Sequence, residues 1–175
     1  TASLSIAPST ASLVAGATQQ FTVTPKDLCN NITAATVTWS VASGAGSITS
    51  GGLYTATCVP GTYNGAVVAT VGALSPSVGV TVAAGPLATL SVSPANPSLP
   101  TGGQQQFTAS GVDACANPVS TSVTWSANAS AGTITSGGIF TATGAPNTYA
   151  NAVTATSGPK AASTGVTLTA GNVAT

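Results

Sequence analysis

The sequence repeats itself with a period of 86 residues and no gap. Leu4 falls on Leu90, Phe21 on Phe107, Cys29 on Cys115, Trp39 on Trp125, Tyr63 on Tyr149 and Gly85 on Gly171, and about half of the paired positions are identical. A fixed period of this size means two copies of one small unit, set in series. The expected domains are 1–85 and 86–171, with residues 172–175 read as the start of a third repeat or an inter-subunit tail. A unit of about 85 residues buries only about 60–65% of its unfolded surface, so each copy has a thin stability margin.

Charge narrows the function. Lys26, Lys160, Asp27 and Asp113 are the only charged residues and there is no His, so charged residues make up 2% of the chain against roughly 25% in an ordinary domain. A chain without a basic patch has nothing to hold phosphates, which argues against nucleic-acid binding. Two separated acids cannot supply a calcium cage of about six to eight oxygens. No carboxylate pair, no His-activated nucleophile and no metal-ligand cluster is present, so neither an enzyme nor a cofactor is expected. Hydrophobic residues make up 43%, too many for a disordered chain. No run reaches the roughly 18–20 apolar residues of a membrane span. About fifty Ser and Thr wet the surface without mutual repulsion. Low net charge leaves copies of the chain free to associate, end to end or laterally.

The local pattern is that of strands. Phe21 and Val23 alternate with Thr22 and Thr24; Val37, Trp39 and Val41 share one face, as do Val78, Val80 and Val82. This period of two, rich in β-branched and aromatic residues, predicts half-buried antiparallel strands. Turn-formers such as "SGAG", "TSGG" and "VPGTYNG" lie between them. The predicted order in the first copy is A 3–8 (with A′ near 12–15), B 18–25, C 36–42, D 46–50, E 52–57, F 65–71 and G 77–83. Seven short strands imply an all-β, immunoglobulin-like Greek-key sandwich, present twice and arranged head to tail. Phe21, Trp39, Tyr63, Phe107, Trp125 and Tyr149 are the predicted core, with the two tyrosines at sandwich corners.

The motifs "L-x-V-x-P", "G-x-x-Q-Q-F-T-A", "V-T-W-S", "G-[LI]-[YF]-T-A" and "P-x-T-Y…V-T-A-T", best read in residues 90–156, resemble the bacterial immunoglobulin-like domains of group 2. Both copies carry the pattern, so the resemblance spans nearly the whole chain. It implies the sandwich fold and a structural or adhesive role, without catalytic residues. Members of that family serve as stalk and adhesive repeats of surface proteins, as spacers in secreted enzymes, and in phage and appendage proteins. The low charge departs from an average member.

Three cysteines carry the remaining chemistry. Cys29 and Cys115 fall in B–C loops and Cys58 in an E–F loop, at the opposite end of a sandwich. Cys29 and Cys58 of one unit are then too far apart for the ~4.4–6.8 Å Cα separation of a disulfide. A head-to-tail arrangement predicts an interdomain bond Cys58–Cys115, with Cys29 free or available to another subunit; three small unbonded residues are the alternative. Gly144 stands at the position equivalent to Cys58. Asn31-Ile32-Thr33 and Asn128-Ala129-Ser130 are N-glycosylation sequons, which makes glycans candidate partners. Lys26 beside Asp27 suggests a surface ion pair rather than an isopeptide site. The function expected is a non-enzymatic extracellular or cell-surface structural repeat, in a stalk, adhesin or filament. A glycan- or protein-binding adhesion module and a spacer of a secreted polysaccharide-degrading enzyme are the alternatives.

Overall fold

The computed structural model describes residues 1–171; the tail expected at 172–175 lies outside them. The chain divides into two compact units, Thr1–Gly85 and Pro86–Thr175. Unit 1 holds β1 (Ser3–Ala7), β2 (Thr10–Val14), β3 (Thr18–Gln20), β4 (Thr22–Lys26), β5 (Thr38–Val41), β6 (Gly46–Ile48), β7 (Leu53–Ala56), β8 (Gly61–Thr70) and β9 (Ser77–Ala83). Unit 2 holds β10 (Thr89–Ser93), β11 (Ser98–Pro100), β12 (Gln104–Gln106), β13 (Thr108–Val112), β14 (Pro118–Val119), β15 (Thr124–Ala127), β16 (Gly132–Ile134), β17 (Ile139–Ala142), β18 (Asn147–Ser157) and β19 (Lys160–Thr169). Each unit is a β-sandwich of the immunoglobulin type.

One layer of unit 1 is the sheet β2-β9-β8-β5; the other consists of β1-β4 and β3-β7-β6. Unit 2 repeats this with β11-β19-β18-β15 against β10-β13-β14 and β12-β17-β16. All pairings are antiparallel except β2 with β9 and β11 with β19, which run parallel. In both copies the first strand is divided at a cis X–Pro bond, Ala7–Pro8 or Ser93–Pro94, and its second half joins the opposite layer.

The predicted strand B is two strands. At the break, the Phe21 side chain is fully buried, its N–H donates to the Gly52 carbonyl (2.8 Å), and its carbonyl accepts Gln20 Nε2 (2.7 Å). Its backbone groups are therefore spent on the neighbouring turn. The predicted strand F starts four residues too late. A bulge between Tyr63 and Val67 interrupts its register with β9, and Gly65 takes a left-handed φ of 61° there. The two extra residues leave both Ala66 and Val67 buried, which breaks the alternation a sequence reading follows. Asn151 (φ 51°) does the same in unit 2.

Each core is a small aromatic pair among Val and Ala. Phe21 and Tyr54 meet edge to face at 6.0 Å, as Phe107 and Phe140 do at 6.2 Å. Val67, Val78, Val80 and Val82 close the core of unit 1 from β8 and β9. Phe21 and Phe107 are buried in these cores. Trp39, Trp125, Tyr63 and Tyr149 pack against it half-buried. The tryptophans lie across the Gly-Gly turns: a Cβ on Gly52 would stand 3.0 Å from the Trp39 ring, and one on Gly138 3.2 Å from that of Trp125. Tyr54 and Phe140, fully buried, are the aromatic core residues the sequence reading did not name.

Candidate functional site

The cysteines and the sequon asparagines lie in loops joining strands. The β4–β5 loop opens with an aspartate that organises it. The Asp27 carboxylate accepts the amide N–H groups of Cys29 and Asn31, both at 2.9 Å, and Asn31 Nδ2 at 3.2 Å. In the loop of unit 2 that follows β13, Asp113 accepts the N–H groups of Cys115 and Asn117 at 2.8 Å and Asn117 Nδ2 at 3.0 Å. Asn30 (φ 67°) and Ala116 (φ 64°) make the same left-handed bend. The ion pair expected between Lys26 and Asp27 gives way to these contacts, because amides two and four residues on reach the carboxylate through a local turn. The hydrogen bonds from Asn31 hold the Asp27 carboxyl below its ordinary value.

The two loops differ in cover. Asp113 is 3% exposed, and its neighbour Cys115 is disulfide-bonded. Asp27 is half-exposed, and Cys29 is an exposed free thiol. Cys58, between β7 and β8, is the chain's other disulfide-bonded cysteine. One oxidised cysteine thus belongs to each unit.

The β7–β8 loop and its counterpart between β17 and β18 explain why only one of them carries a cysteine. In unit 1 the Ala45 carbonyl accepts the Thr57 N–H (3.2 Å) and the hydroxyl of buried Tyr54. In unit 2 Phe140 replaces Tyr54 and has no hydroxyl. The Ala131 carbonyl there accepts Thr143 N–H (3.2 Å) and Gly144 N–H (3.0 Å). Gly144 turns inward to do this, and a Cβ on it would lie 2.1 Å from the Ser130 carbonyl oxygen. Only glycine fits at 144. In unit 1 the phenol supplies the hydrogen bond, and position 58 is released to carry a cysteine.

Below these loops the scaffold is fixed by repeated clasps. Gln20 Nε2 donates to the Gly51 carbonyl (2.8 Å) and Gln106 Nε2 to that of Gly137 (2.8 Å), so the "Q-Q-F" motif ties β3 or β12 to the Gly-Gly turn. Tyr63 donates to the Val59 carbonyl (2.8 Å) and Tyr149 to that of Ala145 (2.9 Å), which pins the loop carrying position 58 or 144 to the start of β8 or β18.

Both sequon asparagines are exposed. The Asn31 amide nitrogen is engaged by Asp27, and Thr33 Oγ1 is buried without a hydrogen-bond partner. The Asn128 Oδ1 accepts the Ser130 N–H (2.9 Å). Among the described residues no group of three His, Cys, Asp or Glu could hold a metal ion, and no helix is long and apolar enough to cross a membrane.

No family model matches the chain and no curated protein matches it, so the resemblance to group 2 bacterial immunoglobulin-like domains rests on the motifs quoted above. Among solved structures, the chain is similar to domains 4 and 5 of the S-layer protein SbsC, with 21% identity over 86% of this chain and 82% of that one and a TM-score of 0.45. It is also similar to mouse cadherin-23 EC22–24 (16% identity, 94% and 64% covered, TM-score 0.49). The adhesin InvE of Yersinia pseudotuberculosis gives 18% identity, 98% and 63% covered, and a TM-score of 0.37. At these identities and TM-scores, function has to be argued from the chain's own geometry.

Proposed function

We propose that the chain is a non-enzymatic structural module of the extracellular or cell-surface space: two immunoglobulin-like units in series within a stalk, an adhesin or an extracellular filament. The observation that carries this reading is the distribution of oxidised cysteines, Cys58 in one unit and Cys115 in the other. Cys29, by contrast, is a free thiol. Disulfides persist in oxidising compartments outside the cytosol. A disulfide contributes about 2–4 kcal/mol. The near-absence of charged side chains adds support, since it leaves little electrostatic repulsion between packed copies.

Immunogold labelling of native cells with antibody to the folded chain tests this reading. Label on surface stalks, layers or filaments supports it; label confined to the cell interior sinks it. Peptide mapping without reduction tests the Cys58–Cys115 pairing expected from sequence, and a map lacking that link sinks the pairing.

A further inference from the structure

The β4–β5 loop of unit 1 and the loop after β13 in unit 2 run the same course. The Thr33 N–H donates to the Pro25 carbonyl (3.0 Å) and Ile32 bridges Lys26, as Val119 pairs with Gly111 and Pro118 with Val112. An asparagine precedes them in both copies, Asn31 or Asn117, with its amide nitrogen on the loop's aspartate. Only the next two residues part: Asn117-Pro118-Val119 in unit 2 is Asn31-Ile32-Thr33 in unit 1. Neither replacement is accounted for by the fold. Thr33 is half-buried, and its Oγ1 is buried without a hydrogen-bond partner among the described residues. Valine has the same shape without that hydroxyl, and a buried hydroxyl left unpaired is unfavourable. Ile32 is 74% exposed where proline would restrict the unfolded chain. Both replacements are what an N-glycosylation sequon demands: a residue other than proline after the asparagine, and a hydroxyl on the one after that. The sequon at Asn128 lacks this signature, because Ser130 is exposed and its hydroxyl needs no partner in the fold.

We propose that Asn31 carries an N-linked glycan, and that the sugar is attached before unit 1 folds. The inference rests on the extracellular placement proposed above, where such sugars are found. The Asn31 amide nitrogen bonds to the anomeric carbon of a sugar delivered on a polyprenyl-phosphate carrier. The bond from that carbon to the phosphate oxygen breaks, the phosphate leaves with the electron pair, and the amide gives up one proton. The other N–H of Asn31 remains for the contact with Asp27. Thr33 sets the order of events: the hydroxyl that marks the sequon is inside the folded unit, so it can be read only in the open chain. After folding, Asn31 itself is exposed, which leaves the sugar in solvent. Leu28, 94% exposed, and Ile32 flank it in the same loop, and a bulky, solubilising sugar shields apolar surface of this kind.

Glycopeptide mass spectrometry of the chain from its own cells is expected to find a sugar on the peptide holding Asn31. A bare Asn31, or sugar on Asn128 alone, overturns the proposal. In the same cells Thr33→Val and Ile32→Pro should each abolish the sugar, and Thr33→Ser should keep it; a sugar that survives T33V and I32P overturns the assignment. Made in a host without the transferase, the T33V chain should have a urea midpoint equal to or above that of wild type. A lower midpoint means that the hydroxyl serves the fold, and the argument from Thr33 fails. The order of events is tested with the purified transferase and its lipid-linked donor. A Phe21→Ala/Tyr54→Ala chain, which lacks both aromatic residues of the first core, should be modified several-fold faster than folded wild type, and equal rates overturn that order. A bare Asn31 on chain that immunogold places outside the cell sinks the glycan alone, whereas label inside the cell sinks the placement on which it rests.

Discussion

The two units solve one problem in two ways. Each buries a carbonyl, Ala45 or Ala131, at the end of its core. Unit 1 satisfies it with the Tyr54 hydroxyl and unit 2 with the Gly144 amide. The choice decides the adjoining loop: an inward amide demands glycine at 144, and a phenol leaves position 58 free to carry a cysteine. A difference of two side chains, one in the core and one in a loop, thus separates a unit that can be bridged at this end from one that cannot.

The largest test of this contrast is Cys58→Ala. Loss of the disulfide is expected to cost about 2–4 kcal/mol, seen as a lower denaturation midpoint in urea under oxidising conditions and no difference from wild type under reducing ones. Gly144→Ala comes next. Its Cβ meets backbone at 2.1 Å, and a strained shift of this kind costs about 1–3 kcal/mol; if calorimetry finds the variant unchanged, the steric account of the missing cysteine fails. Tyr54→Phe, which gives unit 1 the side chain of unit 2, removes one of two hydrogen bonds to Ala45 and is expected to cost about 1 kcal/mol.

The same contrast appears in pH. Burial, and to a lesser degree Tyr63, raises the Tyr54 phenol above its ordinary value of 10.0. Its neutral form is the one the fold favours, so its contribution is present below about pH 10 and lost as pH rises through the folded value. Alkaline melts should weaken unit 1 through this group, and Tyr54→Phe should remove that part of the slope. The smallest effect belongs to Asp27, lowered from 3.8 chiefly by the Asn31 amide. Its ionised form is favoured, so its contribution is present above pH 3.8 and lost as pH falls through the folded value; D27N should flatten that acid limb.

Much of this was legible in the sequence. The 86-residue period, the Val78–Val80–Val82 alternation and the Gly-Gly turns needed only local pattern. The strand break at Phe21 and the bulge at Gly65 were hidden, because both depend on which partner claims a backbone group. The coupling of Tyr54 to position 58 was hidden for a similar reason. Tyr54 and Gly144 belong to different copies, and only the fold shows that their polar groups converge on equivalent carbonyls. The Lys26–Asp27 pair was expected from adjacency, yet nearby amides captured the carboxylate. Cys29 was read as free or available to another subunit, and the exposure of its neighbours Leu28 and Ile32 carried no signal in the sequence.

The parallel pairing of the first and last strands has a mechanical consequence. Opposed tension on the ends of a unit pulls β2 and β9 along each other, so their hydrogen bonds bear the load together in shear instead of unzipping singly. That clamp joins five residue pairs in unit 1, from Thr10–Gly79 to Val14–Ala83. In unit 2 it joins three, from Ser98–Thr167 to Pro100–Thr169. Under a rising force unit 2 should yield first, a fuse that spares its partner.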